Sequence, residues 1–423
     1  MITRTLRQFL VLLLLGVVAA AVALWWNERD ESSTTSAPEA LAPTPQQIER
    51  GAYLARAGNC AGCHTARGAK PYAGGVGIAT PFGTVFSSNL TPDNANGLGQ
   101  WSSGDFWRAL HHGRSRDGRL LYPAFPYTSY TLVSREDSDA LFAYFKSLPG
   151  VSRPNQAHAL DFPYNSQAAL AVWRALFFTP GPYVAESDQS AQWNRGAYLV
   201  RGLGHCAECH AERNAMGARK DPLLLQGGMV PLQRWYAPSL AAVHEAGVNQ
   251  ADTEPTLALL KTGVAQDRSA MGPMAEVVYR STQYLSDADL LAMVAYLKDR
   301  PGPSIPRPTP VATEKSAQYS GGEQIYARHC AQCHGERGEG APGAYAPLAG
   351  NRAVTLASTA NLVQAVLNGG YPPSTTGNPR PYGMPPFRQS LDDVQVAAVL
   401  TYIRQAWGNT GGAVPVRDVV QPQ

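Results

Sequence analysis

Apolar and polar positions repeat with a helical period at three places, each opened by a serine and an acidic first turn. These segments run from Ser134 to Leu148, from Ser286 to Lys298 and from Ser390 to Trp407. Leu141, Phe145 and Leu148 form an i, i+4, i+7 stripe in the first, and Leu290, Val294 and Leu297 form one in the second. All three carry a tyrosine followed by an apolar and then a basic residue: Tyr144-Phe145-Lys146, Tyr296-Leu297-Lys298 and Tyr402-Ile403-Arg404. One such stripe is ordinary core packing; its recurrence marks the ends of three repeated units. A longer pattern lies at the N-terminus, where Phe9 to Trp26 has no charged residue and follows Arg4 and Arg7. Its length predicts a transmembrane anchor, with the arginines cytoplasmic and Trp25 and Trp26 at the far interface. A cleavable signal is the alternative, because small residues crowd Ala19 to Ala23.

The starts of the units also repeat. Arg50-Gly51-Ala52-Tyr53-Leu54 matches Arg195-Gly196-Ala197-Tyr198-Leu199, and Gly322-Glu323-Gln324-Ile325-Tyr326 opens the third. Each predicts a short helix whose glycine lets another backbone approach closely. The expected organisation is an anchor or signal over residues 1–27, a polar tether over 28–46 and a first domain over 47–150. A connection over 151–192 follows, with Gln167 to Phe178 a helix packed between domains. The second domain covers 193–300, a stiff Pro-rich linker 301–318, the third domain 319–409, and a disordered tail 410–423. With 40 glycines and 33 prolines in 423 residues, the expected class is mostly α, with short helices and much loop. A net charge of +3 gives no argument for a nucleic-acid partner.

All six cysteines fall in one motif, Cys-x-x-Cys-His: Cys60 and Cys63 before His64, Cys206 and Cys209 before His210, Cys330 and Cys333 before His334. This is the attachment sequence for c-type haem: two thiols add to the vinyl groups and the adjacent imidazole becomes the proximal iron ligand. Zinc would need a fourth ligand at each site, a thiol redox centre does not need the histidine, and a disulfide would close too small a loop to matter. Three covalent haems c and electron-transfer chemistry follow. No nucleotide fingerprint or nucleophile elbow stands in the right context, and Gly74-Gly75-Val76-Gly77 reads only as a loop.

The second axial ligand tunes each iron, and a thioether raises the potential relative to a second histidine. Met384 lies eighteen residues before Tyr402 and Met274 twenty-two before Tyr296, both in Gly/Pro-rich stretches expected to be loops. They are the candidate sixth ligands of the third and second haems, with Met271 in reserve. The first unit has Phe125 at the matching place and no methionine between Met1 and Met216. Its candidates are His111, His112 or His158, or no protein ligand at all, and His111 and His112 can equally be surface residues of a helix over Gly104 to His112. His205, His244 and His329 are not expected to be ligands.

These residues resemble the triple-haem cytochrome c subunits of bacterial membrane-bound dehydrogenases, over about Gln47 to Asn409. Besides the three motifs, the resemblance rests on Phe82-Gly83-Thr84, Asn89-Leu90-Thr91-Pro92-Asp93 and Gly97-Leu98-Gly99-Gln100-Trp101-Ser102. Asp117-Gly118-Arg119, Tyr122-Pro123-Ala124 and Gly272-Pro273-Met274-Ala275-Glu276-Val277 match too. The resemblance implies three tandem class I cytochrome c-like domains after the N-terminal transmembrane anchor. It implies electrons accepted from a separate catalytic subunit of quinoprotein, flavin or molybdenum type, and passed to ubiquinone or a terminal oxidase. The chain departs from the family where many members carry methionine and this one has Phe125. An N-terminal anchor tilts the expected partner toward a molybdenum or flavin enzyme.

The resulting expectation is an electron conduit without substrate turnover of its own, held at the bacterial inner membrane with its haem domains periplasmic. Two rivals stay open: a haem enzyme reducing peroxide or nitrogen oxides at an open first site, and a freestanding electron carrier.

Overall fold

The computed structural model describes residues 42–265, 268–302 and 317–420, with isolated positions 4, 7, 8, 11, 16 and 18. The expected anchor over 9–26 and most of the tether and Pro-rich linker lie outside the described residues. Among the described residues no helix is long and apolar enough to cross a membrane. The chain divides into two compact units: Met1–Ala55 with Cys63–Val184, and Arg56–Gly62 with Ala185–Gln423. The second and third repeats therefore share one unit.

The same helix pair frames every repeat. A leading helix (Pro45–Ala57, Ala191–Tyr198, Ala317–His329) crosses a closing helix (Arg135–Ser147, Asp287–Lys298, Asp393–Gln405). The crossing residue is Gly51, Gly196 or Gly322. A Cβ on these glycines would fall 1.9, 1.9 and 2.1 Å from the carbonyl oxygens of Ala140, Ala292 and Ala398, with the Cβ of Tyr144, Tyr296 and Tyr402 next. The glycines expected to admit another backbone do so, and the shared tyrosine of each closing helix lies at the same crossing. In the first two repeats an arginine beside the glycine reinforces it. Arg50 Nε donates to Asp137 at 2.7 Å, and Arg195 donates twice to Asp289 at 2.8 Å. Asp137 is only 2% exposed, so its carboxylate depends on that partner.

Ser134 and Ser286 cap their helices by accepting the Asp137 and Asp289 amides. The third helix corrects the expectation, because its cap is Asp392 rather than Ser390. Asp392 accepts the Gln395 amide at 2.8 Å while Gln395 accepts the Asp392 amide at 3.0 Å, a reciprocal pair that fixes the start two residues later.

The first unit adds a small antiparallel sheet that the sequence did not announce: Gly77–Thr80, Gly83–Phe86 and Ala159–Leu160, with Ile78 opposite Val85 and Thr84 opposite Ala159. Buried Asn89 pins the chain beyond the closing helix. Its side chain donates to the Val151 carbonyl at 2.8 Å, and its amide donates to Asn155 Oδ1 at 2.8 Å. The connecting helix ends at Phe177 and buries Leu170 and Arg174 in this unit. Arg174 is 1% exposed, and its guanidinium stands 4.8 Å over the Phe178 ring.

In the second unit, short hairpins precede the second closing helix: Gly228–Val230 with Trp235–Ala237, and Val264–Ala265 with Arg268–Ser269. The tail expected to be disordered from 410 is instead packed. Val414 and Val419 join the core of Val363, Val396 and Leu400, and Val416–Val420 forms a final helix. Apolar side chains five residues apart, at 414 and 419, gave that segment something to bury.

Candidate functional site

The three cysteine pairs stand on short helical turns, Cys60–His64, Ala207–His210 and Ala331–His334, and none of the six thiols is tied up in a disulfide. One turn puts the two sulfurs and the imidazole on neighbouring positions, as double thioether attachment needs. Burial, with Cys209 beside it, pushes the Cys206 thiol up to about 12. Burial next to Cys333 pushes Cys330 up to about 11. A reactive redox thiol is shifted the other way, toward the thiolate. Among the described residues, no three His, Cys, Asp or Glu side chains gather as a metal ion alone would require.

Each motif histidine is tied through Nδ1 to a backbone carbonyl. His64 reaches Ser88 O at 2.7 Å, His210 reaches Pro238 O at 2.7 Å and His334 reaches Ala346 O at 3.0 Å. A carbonyl accepts only a proton, so Nδ1 carries it and Nε2 keeps its lone pair, the tautomer that binds iron. Burial lowers all three pKa values, partly opposed by these hydrogen bonds, so the rings are held in the neutral ligating form.

A glycine completes each clamp; Gly74 reads from sequence only as part of a loop, and Gly227 and Gly340 carry no local signal at all. Gly74, Gly227 and Gly340 donate their amides to the carbonyls of His64, His210 and His334 at 2.8, 2.9 and 2.8 Å. All three have positive φ (70°, 84° and 67°). Each also lies against the stretch whose carbonyl accepts the imidazole. A Cβ would meet the Ser88 carbonyl at 2.5 Å, Ser239 N at 2.6 Å, or Ala346 C at 2.9 Å. Only glycine combines that conformation with that approach. The three stand at different distances from their histidines along the chain, so a repeat search does not align them.

The distal candidates are less uniform. Met384 is half-buried, and its backbone pairs with Gly370 (N–H to O 2.8 and 3.0 Å). Met274 is not on a loop as expected. It sits in the first turn of the helix Gly272–Arg280, which Pro273 can open because that position needs no amide donor. Met271 is the N-cap of the same helix. Tyr345, whose ring packs on Tyr382 at 5.3 Å, lines a cavity of about 350 Å³ with Tyr382 and Glu339.

In the first repeat, His111 and His112 are 7% and 5% exposed and so are not surface residues of their helix, Ser103–His112. His111 stacks on Trp107 at 4.3 Å and meets the His112 ring edge to face at 4.7 Å. The buried Nδ1 atoms of His111 and His112 both have no hydrogen-bond partner among the described residues. Burial, then the charges of His111, Arg174, Arg114 and Arg108, pulls the His112 pKa down to about 4. His158 accepts the Phe86 amide through Nδ1 at 3.1 Å and is exposed, which leaves the proton on Nε2 and no lone pair there for iron. Phe125 is half-buried against the Tyr130 ring at 5.4 Å.

The residues present fit haem c at three places: a thiol pair, an oriented imidazole and a glycine-backed carbonyl at each. Comparison with known proteins agrees. The family model described as Cytochrome c matches residues 48–149, 194–300 and 319–407. The chain is 36% identical over 392 residues to the cytochrome c subunit of a quinone alcohol dehydrogenase from Gluconobacter oxydans, covering 88% of this chain and 81% of that one. It is 36% identical over 395 residues to the cytochrome c subunit of gluconate 2-dehydrogenase from Pantoea cypripedii, covering 88% of each. A subunit of nicotinate dehydrogenase from Pseudomonas putida is 41% identical over 367 residues, covering 84% of this chain and 30% of that longer protein.

Proposed function

The chain belongs to the cytochrome c family, and from that premise we propose that it is the electron-transfer subunit of a membrane-bound dehydrogenase complex. Haem c supplies a one-electron iron couple at each of three sites. Cys60 and Cys63, Cys206 and Cys209, and Cys330 and Cys333 hold the three groups as thioethers, with His64, His210 and His334 as proximal ligands. Met274 and Met384 are the sixth ligands of the second and third sites. His111 or His112 serves the first, because the buried Nδ1 of each has no hydrogen-bond partner among the described residues.

The protein's own work is positional. The glycine-backed carbonyls fix each imidazole plane, so a haem iron held there would change charge without its ligand turning. The apolar closing-helix residues keep water away and so hold the potentials up. Electrons enter from a dehydrogenase catalytic subunit of molybdenum, flavin or quinoprotein type and leave to ubiquinone or a terminal oxidase. The N-terminal apolar run anchors the chain in the bacterial inner membrane with the repeats periplasmic. Support for the partner comes from relatives that are themselves named as dehydrogenase subunits.

The observation that carries this reading is the thrice-repeated bond from a motif histidine's Nδ1 to a backbone carbonyl, beside a pair of unbridged thiols. The test is purification from detergent-solubilised membranes. The expected result is a chain bearing three haems resistant to acid-acetone, together with a large catalytic companion. A lone chain, or colour that extracts, overturns it.

A second reading, an open first site that reduces peroxide or nitrogen oxides, draws on Phe125 standing where a thioether would be expected. Rapid carbon monoxide binding by one haem in three supports that reading, and none supports a sixth ligand.

A further inference from the structure

We propose that Met271, at the edge of the second repeat, covers the distal side of the third haem and keeps water from the Met384 sulfur. This rests on the reading of Met384 as an iron ligand. Gly370 and Met384 exchange both backbone hydrogen bonds, so they are a directly opposed antiparallel pair. Side chains of such a pair stand on one face, their Cβ atoms about 4.5–5.5 Å apart. Position 370 has no side chain, and the space is filled from elsewhere: the Met271 Cε lies 3.3 Å from where a Gly370 Cβ would be. The tip of one methionine therefore sits beside the root of the other.

The placement is fixed on both sides. Behind Met271, Gly272 has φ 55° and lies under the Trp235 indole, where a Cβ would meet the ring at 2.5 Å. The next residue along that strand, Tyr236, joins the third repeat through two hydrogen bonds with Asn361, its amide to Oδ1 and Asn361 Nδ2 to its carbonyl, each 2.8 Å. Thr375 Oγ1 adds a bond to the Thr262 carbonyl at 3.0 Å. The second repeat is thus docked to the loop that carries Gly370, within one compact unit.

A thioether suits this duty: it is apolar, fills an irregular gap and makes no demand for hydrogen bonds. Excluding water near an iron ligand favours the reduced, less charged state and raises the potential. Met271 is therefore a positioning residue contributed by one repeat to the haem of the next, and it stands three residues before Met274 on the same helix start.

The test is a spectroelectrochemical titration of the purified three-haem protein. Met271→Ala is expected to lower the midpoint potential of the third site alone, and Met271→Leu to keep it near the parent value. If the alanine variant loads fewer than three haems, Met271→Val, shorter but still apolar, replaces it with the same expectation. Loss of a methionine-to-iron charge-transfer band from the second site would make Met271 a ligand there and overturn the proposal. So would an unchanged third potential in a variant where Met384→His does lower it. If Met384→His itself has no effect, it is the ligand reading that fails.

Discussion

Gly196 meets Ala292 so closely that a single added carbon would stand 1.9 Å from the alanine's carbonyl oxygen. The two helices of the second repeat touch backbone to backbone at that point, with Trp193 and Tyr296 packed edge to face alongside at 5.0 Å. Taken alone, alanine would favour the leading helix by about 1 kcal/mol. Here it must separate the helices, and overpacking of this kind costs about 1–3 kcal/mol. Gly196→Ala is expected to lower the denaturant midpoint of the haem-loaded protein, read by circular dichroism. An unchanged midpoint would mean that the crossing yields freely.

The glycine clamps make a different prediction. Gly227→Ala puts a side chain at φ 84° and against Ser239 N, displacing the peptide that accepts the His210 proton. An imidazole with a weaker Nδ1 hydrogen bond is a poorer donor to iron, so the second site's potential is expected to rise. Resonance Raman of the iron–histidine stretch should show the weaker bond. A stability loss without either change would reduce Gly227 to a turn residue.

Met384→His replaces a thioether with an imidazole and is expected to lower the third site's potential while three haems are retained. Redox titration with haem counting by mass decides it. The same exchange at Met274 should act on the second site alone.

His112 gives the first repeat a pH dependence. Its folded pKa is about 4 against an ordinary value of 6.5, with burial the main cause. A depressed histidine binds fewer protons folded than unfolded, so its contribution to stability is present above about 6.5 and is lost as pH falls toward 4. Iron on the ring competes with that proton, so the decline in the haem-loaded chain falls below that window if His112 is the sixth ligand and within it if His111 is; His112→Gln should flatten it in either case. A parallel curve for the variant would place the acid sensitivity elsewhere.

What the sequence disclosed was local. The attachment motifs, the Ser134 and Ser286 caps and the crossing glycines are each written in a few consecutive residues, and recurrence made them readable. The clamp glycines were not legible, because Gly74, Gly227 and Gly340 act on partners set by tertiary folding rather than by spacing. The short strand at Ala159 was hidden for the same reason: it needs Thr84, far along the chain, to exist. Asp392 was missed as a cap because Ser390 offered a plausible one, and only the reciprocal bond with Gln395 separates them. Burial of His111 and His112 depended on how Trp107 and the arginines at 108, 114 and 174 gather around them, which periodicity does not report.

The varied span between each motif histidine and its clamp glycine has a practical consequence. Positions 64 and 74, 210 and 227, and 334 and 340 bracket loops of quite different length, yet the two ends come to the same embrace. One grip on the ring thus tolerates a short or a long excursion between its halves. Exposed positions within these excursions, such as Gly68, Met216 and Arg337, are accordingly the places to graft a reporter or an electrode linker onto this protein, close to the redox centres.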